Sequence, residues 1–164
     1  MKTGAGDKLR VLVVENEPIA REILSDLLKM AGYDVLSAPT GEHALLLLVQ
    51  ERGRIDCLFT AVELPGLVDG WMLADEFRVV DAALPVVFAT TSRAAKTRRL
   101  QRAAFVAYPV LPPKVVEAMN KVTGRTAAAP KSRRPPRVVT ETAPPIEEAP
   151  QRAVVLDGLL KAAG

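Results

Sequence analysis

The chain has 164 residues, 49% of them hydrophobic and 25% charged, enough for one compact domain with an appendage and too little for a second large core. Its single cysteine, Cys57, excludes a disulfide framework and a paired-cysteine metal site, and no apolar run reaches membrane-spanning length. Charge is uneven: residues 1–124 carry 15 Lys and Arg against 15 Asp and Glu, residues 125–164 carry 7 against 4, so the net +3 belongs to the tail.

Met1 to Asp7 holds one lysine among small and polar residues, so a flexible start without a secretory signal is expected, in a soluble, cytoplasmic chain. From residue 8 to residue 123 short apolar runs alternate with longer amphipathic ones, the pattern of a parallel sheet wrapped by helices. The predicted strands are Leu9 to Val14, Tyr33 to Ser37, Ile55 to Thr60, Val86 to Ala89 and Phe105 to Tyr108. After the first strand, Pro18 suits the first turn of a helix running to Met30, with Leu24, Leu27, Leu28 and Ala31 as its buried stripe and Gly32 as its left-handed stop. The second helix is expected from Thr40 to Glu51, where Ala44, Leu45, Leu47, Leu48 and Val49 cover more than one face. The third is expected from Trp71 to Val80, the fourth from Arg93 to Arg102 and the fifth from Pro112 to Val122.

Residues 124–164 hold six of the 13 prolines, dispersed among Ala, Arg, Glu and Thr. Such a segment buries too little apolar surface to offset its chain entropy, so a disordered tail is expected. Within it, residues 152–162 regain helical spacing through Val155, Leu156, Leu159 and Leu160 despite Gly158.

In a sheet of this kind the ligand crevice lies beyond the carboxyl ends of the strands. Three ends carry informative residues: Glu15-Asn16-Glu17 after the first strand, Ala61 after the third, and Thr90-Thr91 after the fourth. Together with Val13-Val14 before them and Pro18 after, with Leu64-Pro65-Gly66, with Asp69-Gly70 and with Leu84-Pro85-Val86-Val87, these blocks make the chain resemble the receiver domain of bacterial two-component response regulators over residues 8–123. The resemblance implies a flavodoxin-like, doubly wound, five-stranded parallel sheet of order 2-1-3-4-5 flanked by five helices.

It also implies a site. In that family an Asp after the third strand accepts a phosphoryl group, two acidic residues after the first strand hold a divalent metal, a Ser or Thr after the fourth binds a phosphoryl oxygen, and a Lys ends the fifth. The matching positions here are Ala61 for the acceptor, Glu15 and Asn16 for the acidic pair, Thr90 for the hydroxyl and Tyr108 for the lysine. A methyl group accepts no phosphoryl, an amide brings no charge to a cation, and a phenol of pKa about 10 is neutral at pH 7. Glu15 and Glu17 are too few anionic ligands for a convincing magnesium site, so no catalytic residue, metal or cofactor is expected. Tyr108-Pro109 stands where the family has Lys-Pro, a pair whose peptide bond is typically cis, so the turn is expected to survive.

Asp56, Glu63 and Asp69 are the other carboxylates around the third strand. Asp56 starts the third strand, about 16 Å from its far end, and is excluded by distance. Glu63, in the loop after that strand, is the one alternative acceptor, and a solvated loop carboxylate is the expected role for it. Trp71, the only tryptophan, is expected to pack; His43, the only histidine, to be solvated; and Cys57 to be a buried, inert thiol.

The predicted fourth helix carries five basic residues, Arg93, Lys96, Arg98, Arg99 and Arg102, and no acidic one. In receivers that helix, the fifth strand and the fifth helix commonly form the output or dimer surface, which points to a protein-binding face and a homodimer as one option. An electrostatic nucleic-acid clamp using this helix and the tail from Arg125 to Arg137 is the rival, weakened by the lack of a recognition helix and by few aromatics. The expected function is therefore a non-enzymatic, receiver-like module of a phosphorelay pathway, with no output domain following it. It would bind a kinase, phosphotransfer protein or regulator without being phosphorylated; a receiver phosphorylated at Glu63 is the further alternative.

Overall fold

Five short strands form one parallel sheet: β1 (Arg10–Val14), β2 (Asp34–Ala38), β3 (Cys57–Ala61), β4 (Val86–Thr90) and β5 (Ala103–Ala107). Their order is β2-β1-β3-β4-β5, with Val11 in register with Cys57 and Val35, and Phe59 with Val87. Every residue of β3 and β4 is buried, which is why these strands read as unbroken apolar runs rather than alternating ones. The computed structural model describes residues 8–93 and 100–125.

Helices α1 (Pro18–Met30) and α4 (Pro112–Thr123) cover one face of the sheet, and α2 (Gly41–Gln50) and α3 (Gly70–Phe77) cover the other. Glu17 caps α1 through a bond from the Ile19 amide at 3.4 Å, and Pro18 supplies the first helical position without losing a needed donor. Leu24 and Leu28 bury fully on the sheet, while Leu27 and Ala31 pack at the edge of the same cluster. At about 1.5–3 kcal/mol per buried Leu, this stripe and not helix propensity holds α1 in place. Glu51 rather than Gln50 is the C-cap of α2, and Thr40 caps its start through the His43 amide at 3.1 Å.

Several boundaries differ from expectation. The third helix ends at Phe77, with Arg78 as its cap, and does not reach Val80. Arg78 keeps its amide on the Ala74 carbonyl at 3.0 Å, and the chain leaves the helix after it, where the Arg78 guanidinium donates to the Leu84 carbonyl at 2.9 Å and the Gln101 carbonyl at 2.6 Å. The fifth strand begins at Ala103, two residues early, since Ala103 and Ala104 pair with Val86 and Val87. Four helices stand among the described residues; the expected fourth of five falls on residues 94–99, outside them. Its expected last residues are not helical: Gln101 and Arg102 form a turn in which Arg102 has φ +47°. The expected features of residues 1–7 and of the tail from residue 126 onward, the helix at 152–162 included, also lie outside the described residues.

Candidate functional site

The carboxyl ends of β1, β3 and β4 and the residue after β5 meet at one crevice. Glu15 follows β1, is 3% exposed, and is anchored by its own amide bonding to the Ala38 carbonyl at 3.2 Å. One carboxylate oxygen accepts the Glu17 amide at 3.1 Å, and the other accepts the phenol of Tyr108 in a short hydrogen bond. Arg21 on α1 donates to the Glu15 carbonyl at 2.8 Å, which fixes the turn that carries Glu15 and Asn16. Asn16 itself is exposed beside this turn.

Tyr108 is half-buried, and its peptide bond to Pro109 is cis, as the sequence suggested. Burial, then the hydrogen bond and charge of Glu15, then the charge of Glu63, push its phenol above the ordinary range, so it is a neutral donor at physiological pH. Across the crevice, Thr90 is fully buried at the last position of β4 rather than after it. Its hydroxyl donates to Glu63 at 3.0 Å and accepts the Ser92 amide at 3.0 Å. Glu63 is exposed, as a loop carboxylate is expected to be, and one of its oxygens reaches back to β4. Between these pairs Ala61 ends β3, 2% exposed, with only a methyl to offer.

The loop after β3 is held from three sides. Gly70 opens α3 so close to the end of β3 that a Cβ there would lie 2.1 Å from the Ala61 carbonyl, and its amide bonds to the Val62 carbonyl at 3.0 Å. Asp69 caps α3 through the Met72 amide at 2.9 Å. Glu42, at the first turn of α2, accepts the Leu67 amide at 2.6 Å and the Val68 amide at 3.2 Å. Backbone amides, its own and then that of Leu67, hold the Glu42 carboxyl below its usual range. Behind the loop Trp71 packs against Phe88 with ring centroids 4.5 Å apart and planes tilted by 39°, and lies 6.1 Å from Phe105.

The response regulator receiver domain family matches residues 11–110. The chain belongs to that family. This receiver is 33% identical over 95 residues to the sensor histidine kinase RcsC of Salmonella typhimurium, a match covering 58% of this chain and 10% of the kinase. It spans about a tenth of the length of such relatives. Among solved structures it superposes on the receiver domain from the hybrid histidine kinase CckA with a TM-score of 0.59 at 31% identity, covering 70% of this chain and 98% of that one. The chemotaxis response regulator CheY4 of Vibrio cholerae gives 0.61 at 21% identity, covering 71% and 99%, a likeness of fold.

Of the residues singled out in the sequence, the receiver fold brings Glu15 to Tyr108 and leaves Asn16 at the rim; Ala61 and Thr90 face the same crevice from adjacent strands. Arg93 and Arg102 are exposed in turns on either side of the residues not described, and Lys96, Arg98 and Arg99 lie outside the described residues. Asp56 is at the far end of β3, accepting the Arg10 amide at 2.7 Å. His43 is exposed, and Cys57 is buried with its thiol pushed up to about 12 by desolvation, as an inert core thiol should be. Among the described residues no three His, Cys, Asp or Glu side chains converge as a metal site. No helix among them is long and apolar enough to cross a membrane.

Proposed function

We propose that this receiver is a regulatory module of a two-component phosphorelay pathway that acts by binding a protein partner and needs no phosphoryl group in its crevice. The observation that carries this reading is the pairing of Glu15 with Tyr108 beside the Ala61 methyl. A methyl has no lone pair to attack phosphorus, so β3 supplies no acceptor. Both oxygens of Glu15 are committed to donors within the chain, Asn16 is uncharged, and Ala61 contributes no ligand. This donor set does not fit a divalent cation, whose oxygen ligands must also neutralise its charge.

The polar groups are satisfied from inside. Tyr108 gives Glu15 a neutral donor, and Glu63 gives the Thr90 hydroxyl an anion belonging to the chain. A crevice closed in this way supports one fixed arrangement rather than a two-state switch, and a fixed receiver works by the surface it presents. A kinase, phosphotransfer protein or regulator of the cytoplasmic phosphorelay is the fitting class of partner. Binding, not catalysis, is the activity this supports.

The test is intact-mass measurement after incubating the full chain with magnesium and acetyl phosphate, beside a phosphorylatable receiver. The control gains one phosphoryl group and this chain gains none. A hydroxylamine-sensitive phosphoryl on this chain would overturn the reading, and its loss in Glu63→Gln would name Glu63 as the acceptor.

A further inference from the structure

Between α2 and α3 runs an open groove of about 920 Å³ that reaches down to the amino ends of β3 and β4, away from the crevice. Its walls are Leu45, Leu48 and Val49 of α2, Met72 of α3, and Val79 and Val80 of the loop after α3. Single exposed apolar residues need no explanation, but a contiguous set does. Here Val49 is 64% exposed, Met72 51%, Val79 74% and Val80 77%, all on one groove.

The wall is built, not loose. Arg78 fastens the loop to Leu84 and Gln101, the Val79 amide bonds to the Glu76 carbonyl at 3.2 Å, and Asp81 turns the chain by accepting the Ala83 amide at 2.8 Å. Two adjacent valines are thus held out toward solvent by four hydrogen bonds. Their exposure also argues against a small ligand, because small-molecule sites are concave and enclose most of the ligand's surface. An open trough between two helices matches the docking of an amphipathic helix by its apolar stripe.

Charge selects the occupant. The groove is rimmed by Glu51, Asp56, Glu76 and Asp81 against the single cation Arg52. The Arg10 guanidinium pairs with Glu51 at 3.0 Å, while Asp56 and Asp81 accept only backbone amides and keep their charge, so Asp56, Glu76 and Asp81 stand against Arg52. Helix α1 also exposes Ile19, Ile23 and Met30; of the carboxylates beside them Asp26 is paired with Lys29 at 3.4 Å and Glu22 is left to meet this rim with like charge, so that face of a second copy is a poor match for the groove. We propose that the α2–α3 groove is a docking site for a protein partner's amphipathic helix whose apolar stripe is flanked by lysine and arginine. The site is independent of the crevice and goes beyond the reading given above: it stands whether or not the crevice takes a phosphoryl group.

The experiment titrates the full chain into fluorescein-labelled 18-residue helical peptides at about 0.1 M salt. One peptide has leucines at i, i+3, i+4 and i+7 with lysines elsewhere, a second has glutamates in place of the lysines, and a third scrambles the first. The Leu/Lys peptide is expected to bind saturably, and the other two at least about tenfold more weakly, a difference of roughly 1.4 kcal/mol. Met72→Ser with Val80→Ser, both at exposed positions, should weaken the Leu/Lys peptide about tenfold, and Glu76→Gln with Asp81→Asn should weaken it several-fold and flatten its salt dependence. Hydrogen exchange on the complex should slow in α2 and in residues 78–84. Equal binding of the scrambled peptide, indifference to both double variants, or protection confined to other elements would overturn the proposal. So would a dimer of the free chain that Met72→Ser with Val80→Ser dissociates, because the groove's occupant would then be a second copy.

Discussion

Tyr108 and Glu15 carry the heaviest electrostatic consequence of any side-chain pair in the crevice. Glu15 is almost fully buried and Tyr108 is its only side-chain donor among the hydrogen bonds described. Tyr108→Phe leaves that oxygen unsatisfied and should destabilise the fold by about 1–3 kcal/mol, read as a lower urea midpoint with an unchanged slope. The pair also sets a pH dependence. Because burial and Glu15 raise the phenol's pKa in the folded state, the folded chain keeps a proton that an unfolded tyrosine loses near pH 10. The stabilisation is therefore complete below about pH 10 and declines as pH rises beyond it. Urea midpoints taken between about pH 8 and pH 11 should fall in the wild type and fall less in Tyr108→Phe. The same pairing bears on rescue: Ala61→Asp alone should remain unphosphorylated by acetyl phosphate, because Glu15 is still bound to a phenol. Ala61→Asp combined with Asn16→Asp and Tyr108→Lys supplies acceptor, second carboxylate and cation together, and intact mass should show one added phosphoryl group.

At the level of elements, two glycines decide how tightly the helices close on the sheet ends. A Cβ at Gly70 would meet the Ala61 carbonyl at 2.1 Å, and one at Gly41 would meet the Val68 carbonyl at 2.2 Å. Both obstacles are backbone, the end of β3 for Gly70 and the loop between β3 and α3 for Gly41, so either alanine must shift main chain. Gly70→Ala and Gly41→Ala should each cost about 1–3 kcal/mol by thermal or urea unfolding, against the few tenths gained by an alanine in an unhindered helix. The sequence made the strands and helix starts legible because their signals are local: unbroken apolar runs for β1, β3 and β4, Pro18 and Thr40 for helix entry. It misled where a local pattern continued past the element's real end. Val79 and Val80 extend the apolar spacing of α3, but the chain turns after Arg78 toward Leu84 and Gln101, whose carbonyls accept the Arg78 guanidinium. Ala103 and Ala104 have no strand signature of their own and become strand only by pairing with Val86 and Val87. For the site, Glu15, Ala61 and Thr90 stood out at strand ends, and the resemblance to receiver domains added Tyr108 as the position matching the family's lysine. The bond from Thr90 to Glu63 was not, since it joins residues 27 apart through a loop whose path no local pattern encodes.

For the described domain as a whole, the sheet divides the interior into two apolar clusters. Val11, Val13, Phe59 and Val87 face Leu28 of α1 and Met119 of α4, while Leu12, Val14, Leu58 and Phe88 face Leu73 and Phe77 of α3. The clusters touch different helices yet share every central strand, because successive residues of a strand point to opposite faces. A strand cannot lose one cluster and keep its register in the other, so the two should melt together. The only tryptophan, Trp71, belongs to the α2–α3 side and reports on that cluster alone. Leu28→Ala, on the opposite side and fully buried, should cost about 2–5 kcal/mol, a large share of the roughly 5–15 kcal/mol that holds a domain together. If the sheet couples the clusters, Trp71 fluorescence and far-ultraviolet circular dichroism will show coincident urea transitions in the wild type, and Leu28→Ala will move both by the same amount. A fluorescence midpoint left in place while the dichroism midpoint falls would mean that the α2–α3 half is stable by itself, and cooperativity across the sheet would have to be given up.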